Sequence, residues 1–250
     1  MISKYDQYDH NEANKAFERS RYKDLENIIR HADTEKMSAK EIVELISFKA
    51  LVEQKLHKIY WSDEVVQLVT LALEKADVKE RRYFEAKLLR NEAQIIIRNK
   101  KDDKRFKRAM GLLSLADKYF AQIKDHELES LFAKDEKLRT TFEMLKSNRG
   151  GGAEEIDRII KEYRALDKEF DKFASDAAEA ETWQLNAEFH SLRIMAYANY
   201  PYTYTKKLGR KVAEKFSSRG NRIKALAARM YTLGRVGFYI TEILTQIKGE

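Results

Sequence analysis

The chain has no cysteine, one proline (Pro201) and few glycines, the first of them Gly111. Without cysteine, disulfides and thiolate metal centres are excluded, and nothing marks a redox compartment. The dipeptides Asn-Gly and Asp-Gly are absent, so tight β-hairpins lack their commonest turns. No uncharged apolar run approaches the roughly 20 residues that a membrane-spanning helix needs. The opening stretch, MISKYDQYDHNEANKAFERSR, has no apolar core of the kind a secretory leader carries. The expectation is a soluble, cytoplasmic chain.

What remains is dominated by Ala, Leu, Glu, Lys and Arg, the good helix formers. At 250 residues the chain is long enough for one large core or two small ones. Apolar residues recur in steps of three and four, as in Ile42, Leu45, Phe48, Val52, Leu56 and Ile59. That spacing lays them along one face of a helix. Ser38 followed by Glu41 has capping-box spacing, and Ser62 or Asp63 can cap the next helix. The fold class is therefore all-α, with antiparallel helical hairpins forming a bundle or a short superhelix of about nine helices.

Three regions follow from composition: an N-terminal helical region over 1–148, a Gly-rich hinge or loop over 149–153, and a basic helical region over 154–250. The run Gly150 to Gly152 offers freedom and no packing. Beyond it, Ile156, Ile159, Tyr163, Leu166, Phe170 and Phe173 are spaced 3-4-3-4-3. Such a seam suits a neighbouring helix, either in the chain's own bundle or in a second copy associating through 156–173.

Two stretches echo one another: AKLLRNEAQIIIRNKKDDKRFKRAMGLLSLADKYF at 86–120 and AEFHSLRIMAYANYPYTYTKKLGRKVAEKF at 187–216. Each has Ala at the front of one helix, a polar break, then a small residue, Ala and a terminal Phe on the next. The pair resembles tetratricopeptide-like helical hairpins, which stack into superhelices. The family's Trp, Leu-Gly and Pro marks are not in register. The resemblance implies a scaffold that grips peptides.

Signatures of catalysis are missing. His10, His31, His57, His126 and His190 lie in separate segments, with no HExxH and no paired spacing for zinc. Phosphate loops of the GxxxxGK[ST] or GxGxxG type and the GxSxG elbow are also lacking. The GRVG at Gly234 to Gly237 reads as a site of close helix contact. No catalytic residue, metal ligand or cofactor is expected.

Charge, by contrast, is segregated. The formal total is +7, and the segment from Arg193 onward carries twelve Lys or Arg against three acids, so the excess sits at that end. There Lys206, Lys207, Arg210, Lys211, Lys215, Arg219 and Arg222 follow Tyr202 and Tyr204. Cations neutralise phosphates and aromatic rings stack bases. A second island surrounds RNKKDDKRFKR at 98–108. Asp102 and Asp103 suit the amide-rich start of a helix, and Lys100 and Lys101 the carbonyl-rich end of the one before. Arg105, Lys107 and Arg108 are left as surplus.

The first functional expectation is a non-enzymatic protein-binding or scaffold chain working within a complex. The alternative is a nucleic-acid-binding protein, for RNA or DNA, using the basic C-terminal region. An anionic membrane surface ranks third among partners for the same cations.

Overall fold

The computed structural model describes residues 8–123, 126–147, 152–173 and 178–247. Among the described residues there are twelve α-helices, one π-helical turn and no strand. The chain divides into two compact units, Met1–His126 and Glu127–Glu250.

The first unit contains α1 (His10–Glu18), α2 (Tyr22–Ile29), α3 (Ala39–Val52), α4 (Asp63–Lys75), α5 (Val78–Ile96) and α6 (Arg105–Phe120). Four of these helices, α1, α3, α4 and α5, start where the sequence offers a side-chain acceptor. Asp9 takes the amides of Asn11 and Glu12, and Ser62 takes that of Val65. Asp77 takes those of Lys79 and Glu80. At Ser38 the capping box is complete: Ser38 N–H donates to Glu41 at 2.7 Å and Glu41 N–H donates back at 3.3 Å. Ile42, Ile46, Val65, Phe84 and Leu88 form the largest buried cluster of this unit. Leu25, Ile28, Phe48 and Val52 form a second beneath α1 and α2.

The helices outnumber the nine expected partly because the chain breaks at Ser20, where no glycine announces it. The stretch from Asn11 to Ile29 reads as one helix, yet Ser20 adopts φ 54°. Ser20 N–H then donates to the Phe17 carbonyl and Arg21 N–H to that of Ala16. This is the Schellman ending that glycine usually supplies. Asn199, at φ 55°, ends a later helix in the same way. Helix α5 also stops at Ile96, short of the Lys100 and Lys101 expected at its carbonyl end. Its last turn tightens through Arg98 N–H to Ile95 and Asn99 N–H to Ile96, so Lys100 and Lys101 lie beyond the helix.

The second unit contains α7 (Glu127–Ser147), α8 (Ala153–Phe170), α9 (Ala178–Tyr197), α10 (Tyr202–Ser218), α11 (Arg222–Tyr231) and α12 (Gly234–Ile247). Consecutive helices pack on one another, and α9 also touches α7, α11 and α12. Helix α9 is thus the axis of a bundle, and its buried residues Leu185, Ala187, Leu192, Ile194, Met195 and Ala196 go around it rather than along one stripe. Ile156, Ile159, Tyr163, Leu166 and Phe170 of α8 are buried in the same core, so that seam packs inside its own unit. The two echoing stretches fold as the hairpins α5–α6 and α9–α10.

Of the hinge expected at 149–153, residues 149–151 lie outside the described residues. Gly152 is the N-cap of α8. Gly237 permits the closest approach: a Cβ there would collide with the Met230 carbonyl of α11. The other glycine of GRVG, Gly234, instead opens α12 in the left-handed region at φ 63°. No helix among the described residues is long and apolar enough to cross a membrane.

Candidate functional site

The second unit carries two surface features that its own packing does not use. The first is a groove of about 540 Å³ between α8, α9 and α10. Tyr163, Arg164 and Asp167 come from α8, Glu188 and Ser191 from α9, and Tyr204, Lys207 and Lys211 from α10. Residues 204, 207, 208 and 211 share one face because they are three or four apart. This is why α10 presents Tyr204 and two lysines to the same groove.

Glu188 is the least expected member. Its carboxylate is only 2 % exposed. Oε1 accepts from Lys211 Nζ, while Oε2 is buried without a hydrogen-bond partner. Burial alone would lower the Lys211 pKa, but its hydrogen bond and attraction to Glu188 outweigh that and raise it. Across the groove the Arg164 guanidinium lies 4.8 Å from the centre of the Tyr204 ring and 5.8 Å from that of Tyr200. Its Nε is buried and unpartnered as well. Asp167 is held by Gln184, whose side-chain amide donates to it at 3.0 Å and to Asp171 at 2.6 Å.

Behind the groove runs a buried polar chain. Tyr163 donates its hydroxyl to the Asp135 carbonyl at 3.4 Å, and His190 Nδ1 lies 3.2 Å from Asp135 Oδ1. Burial pushes the Asp135 carboxyl up, but the charge and hydrogen bond of His190, with Arg139, more than offset this and hold it below the ordinary range. Arg139 pairs in turn with Glu136. Lys224 donates to Asn186 at 2.8 Å. Its pKa is lowered, first by burial and then by Arg139.

The second feature is the outer face of α11 and α12. Ile223, Leu226, Leu233, Val236, Tyr239, Ile240, Ile243 and Leu244 are all 40 to 66 % exposed. They make up eight of the fifteen large apolar side chains exposed among the described residues, so exposure is concentrated on one hairpin rather than scattered. Positions 236, 239, 240 and 243 have the spacing of one helical stripe. From Arg219 to Thr241 the sequence has five Arg or Lys and no Asp or Glu. Arg222 and Arg229 are exposed, and they stand four and three residues from Leu226 on α11, within reach of the same face.

The other expected site residues are dispersed. Tyr202 is exposed, with Lys206 Nζ 5.0 Å from its ring centre. Arg210 is exposed, Lys215 half-buried, and Arg219 bonds Glu181 and Thr182. Arg105, Lys107 and Arg108 belong to the first unit. There RNKKDDKRFKR is a turn organised by Asp102. Its Oδ1 accepts from Lys104 N–H and its Oδ2 from Arg108, while its carbonyl accepts from Arg105. Asp102 therefore leads into α6 as expected, and two of the three surplus cations are bonded to it. The first unit has its own apolar groove of about 420 Å³, lined by Trp61, Val69, Leu88, Leu115 and Tyr119. Beside them, burial raises the Glu92 pKa against the opposing pull of Arg108.

Tyr204, Lys207 and Lys211 thus line one groove, together with Glu188 and Arg164, which the sequence did not single out. Among the described residues no three His, Asp or Glu side chains converge in a way that could hold a metal. No family model matches the chain, and no curated protein or solved structure matches it either.

Proposed function

We propose that this is a non-enzymatic protein-binding chain, and that it docks a partner on the outer face of α11 and α12. The observation that carries this reading is the apolar stripe from Ile223 to Leu244, left open on one hairpin. Water-facing side chains of that size and number are favourable to cover, at about 25 cal/mol per Å² of apolar area. The chemistry of the face also limits what covers it. An amphipathic helix fits the groove between two helices, with anchors at i, i+3 or i+4, and i+7. Five cations without one acid between Arg219 and Thr241 favour a helix flanked by Asp and Glu. The likeness of α5–α6 and α9–α10 to tetratricopeptide-like hairpins supports the same role, since such hairpins commonly hold peptides.

The nucleic-acid reading has less support, because Lys211 is engaged by Glu188 and Arg219 by Glu181. The two readings separate in one experiment. A displayed library of amphipathic helical peptides is selected against the wild-type chain. The proposal expects enriched peptides with apolar heptad-like anchors and acidic flanks, whose binding is lost in a Val236→Asp, Ile243→Asp variant of unchanged helix content. Enrichment of peptides that bind this variant equally well would refute the proposal. So would an empty selection accompanied by salt-dependent RNA or DNA binding that Lys207→Glu and Arg210→Glu abolish.

A further inference from the structure

The first unit holds a groove walled by α4, α5 and α6 whose charge runs against that of the chain. Its volume is about 420 Å³, within the roughly 300–1,000 Å³ of small-molecule sites. Val69 of α4, Leu88 of α5 and Leu115 of α6 give it an apolar body, and Trp61 and Tyr119 give it aromatic walls. Among the described residues, the only charged side chains lining it are two acids, Glu85 and Glu92. They are seven residues apart on α5, with Leu88 and Leu89 between them, so all four share one helix face. No Lys or Arg lines the groove, in a chain whose formal charge is +7.

Both carboxylates are open to a molecule in the groove: the side chains are 29 % exposed at Glu85 and 23 % at Glu92. Their surroundings differ. Glu85 is answered by Arg81 at 3.7 Å and Arg82 at 3.8 Å, and Arg82 also rests over the Tyr119 ring at 4.3 Å. Glu92 meets Arg108 at 4.0 Å, and that guanidinium is bonded to Asp102 at 3.1 Å. Burial raises the Glu92 pKa more than Arg108 lowers it. Its charge is thus partly desolvated without a close counter-ion, where attraction to a cation is stronger than in water.

The signs choose the ligand. An anion would face two carboxylates and no lining cation. A polycation finds Glu85 already paired with arginines. A single ammonium meets Glu92, and the apolar wall takes its body. Aromatic walls also favour a cation.

We propose that this groove binds a small apolar monoamine, an ammonium group on an aromatic or alkyl body. The ammonium donates to the Glu92 carboxylate, and the body lies against Leu88, Leu115 and Trp61. The groove belongs to the first unit and the α11–α12 face to the second, so either reading can fail alone.

The test compares ligands that share a body and differ at one end: phenylbutylamine, phenylbutanol and phenylbutyrate, with octylamine as the alkyl counterpart. Calorimetry on the full wild-type chain gives the affinities. Tryptophan fluorescence locates them, since the chain has two Trp and Trp61 lines this groove. Trp183 stacks on Phe132 in the second unit, so Trp183→Phe leaves Trp61 as the one reporter. The expected result is that an amine binds and shifts Trp61 emission. It should bind about tenfold or more tightly than the alcohol, which lacks the charge-assisted hydrogen bond, and the acid should bind more weakly than either. Glu92→Gln should bring the amine down to the level of the alcohol. Absence of binding by both amines overturns the proposal. So does an alcohol or acid that binds as tightly as the amine, or a preference for the amine that survives Glu92→Gln. The ligand series on the wild-type chain needs no variant, so it decides the matter even if a substitution unfolds the unit.

Discussion

Arg193 on α9 grips Glu242 on α12 with two parallel hydrogen bonds, Nε to Oε1 and Nη2 to Oε2, each 2.8 Å long. Glu143 of α7 meets the same guanidinium at 2.7 Å, and Lys146 reaches Glu242 at 2.9 Å. Both members of the Arg193–Glu242 pair are less than one-fifth exposed. This clamp ties the last helix to the central one and so holds the apolar face in position. Burial works against the Arg193 charge, yet the Glu143 charge and the Glu242 hydrogen bond raise its pKa above the ordinary value.

Removing one side of a buried ion pair leaves the other uncompensated. Arg193→Ala is therefore expected to cost about 3–5 kcal/mol, read as the midpoint shift in urea unfolding. Arg193→Lys should recover only part, because an ammonium cannot form the two-pronged bond. A loss below about 1 kcal/mol in the Ala variant, the size of an exposed pair, would show that the clamp does not hold the helix.

Acid should loosen the second unit. Asp135, Glu143 and Glu242 all have pKa values lowered from the ordinary 3.8 for Asp and 4.5 for Glu. In each case burial opposes the shift and neighbouring cations overcome it. A carboxylate with a lowered folded pKa contributes stability that is fully present above its unfolded value. That contribution is lost as pH falls through the folded one. Urea midpoints should thus be level near neutrality and fall below about pH 4. Glu242→Gln should flatten part of that fall. If its acid profile has the same slope as wild type, the linkage argument for Glu242 fails.

Two glycines should respond in opposite ways to alanine. A Cβ on Gly237 meets the backbone of Met230, whereas one on Gly111, within α6, meets nothing within 4 Å. Gly237→Ala should cost roughly 1–3 kcal/mol, as overpacking does. Gly111→Ala should stabilise by up to about 1 kcal/mol through helix propensity. Thermal melts of the two variants check this, and shifts of the same sign would contradict the packing described at α11 and α12.

Much of the scaffold was legible in the sequence. The 3-4 spacing from Ile156 to Phe170 marks the buried face of α8, and Ser38 with Glu41 marks a helix start, because both signals are local. The break at Ser20 was hidden, since the left-handed turn is occupied by a residue other than glycine, whereas the one at Asn199 is announced by Pro201 two residues on. Apolar spacing also cannot say whether a stripe is covered. Positions 236, 239, 240 and 243 look like core in the sequence and are open in the fold. Glu188 and Asp135 were out of reach for a third reason. Their surroundings come from residues far along the chain, Lys211 for one and His190 for the other, and a charged residue's burial is decided there rather than in its own helix.

The α11–α12 face is proposed to take a partner helix. Hydrogen–deuterium exchange of the full chain, with and without a selected acidic amphipathic peptide, tests it most directly. The expected result is new protection within Arg222–Tyr231 and Gly234–Ile247, the bounds of α11 and α12, lost when Arg222 and Arg229 are changed to Glu. Protection confined to α8 and α10, or binding unaffected by those two charge reversals, would contradict it.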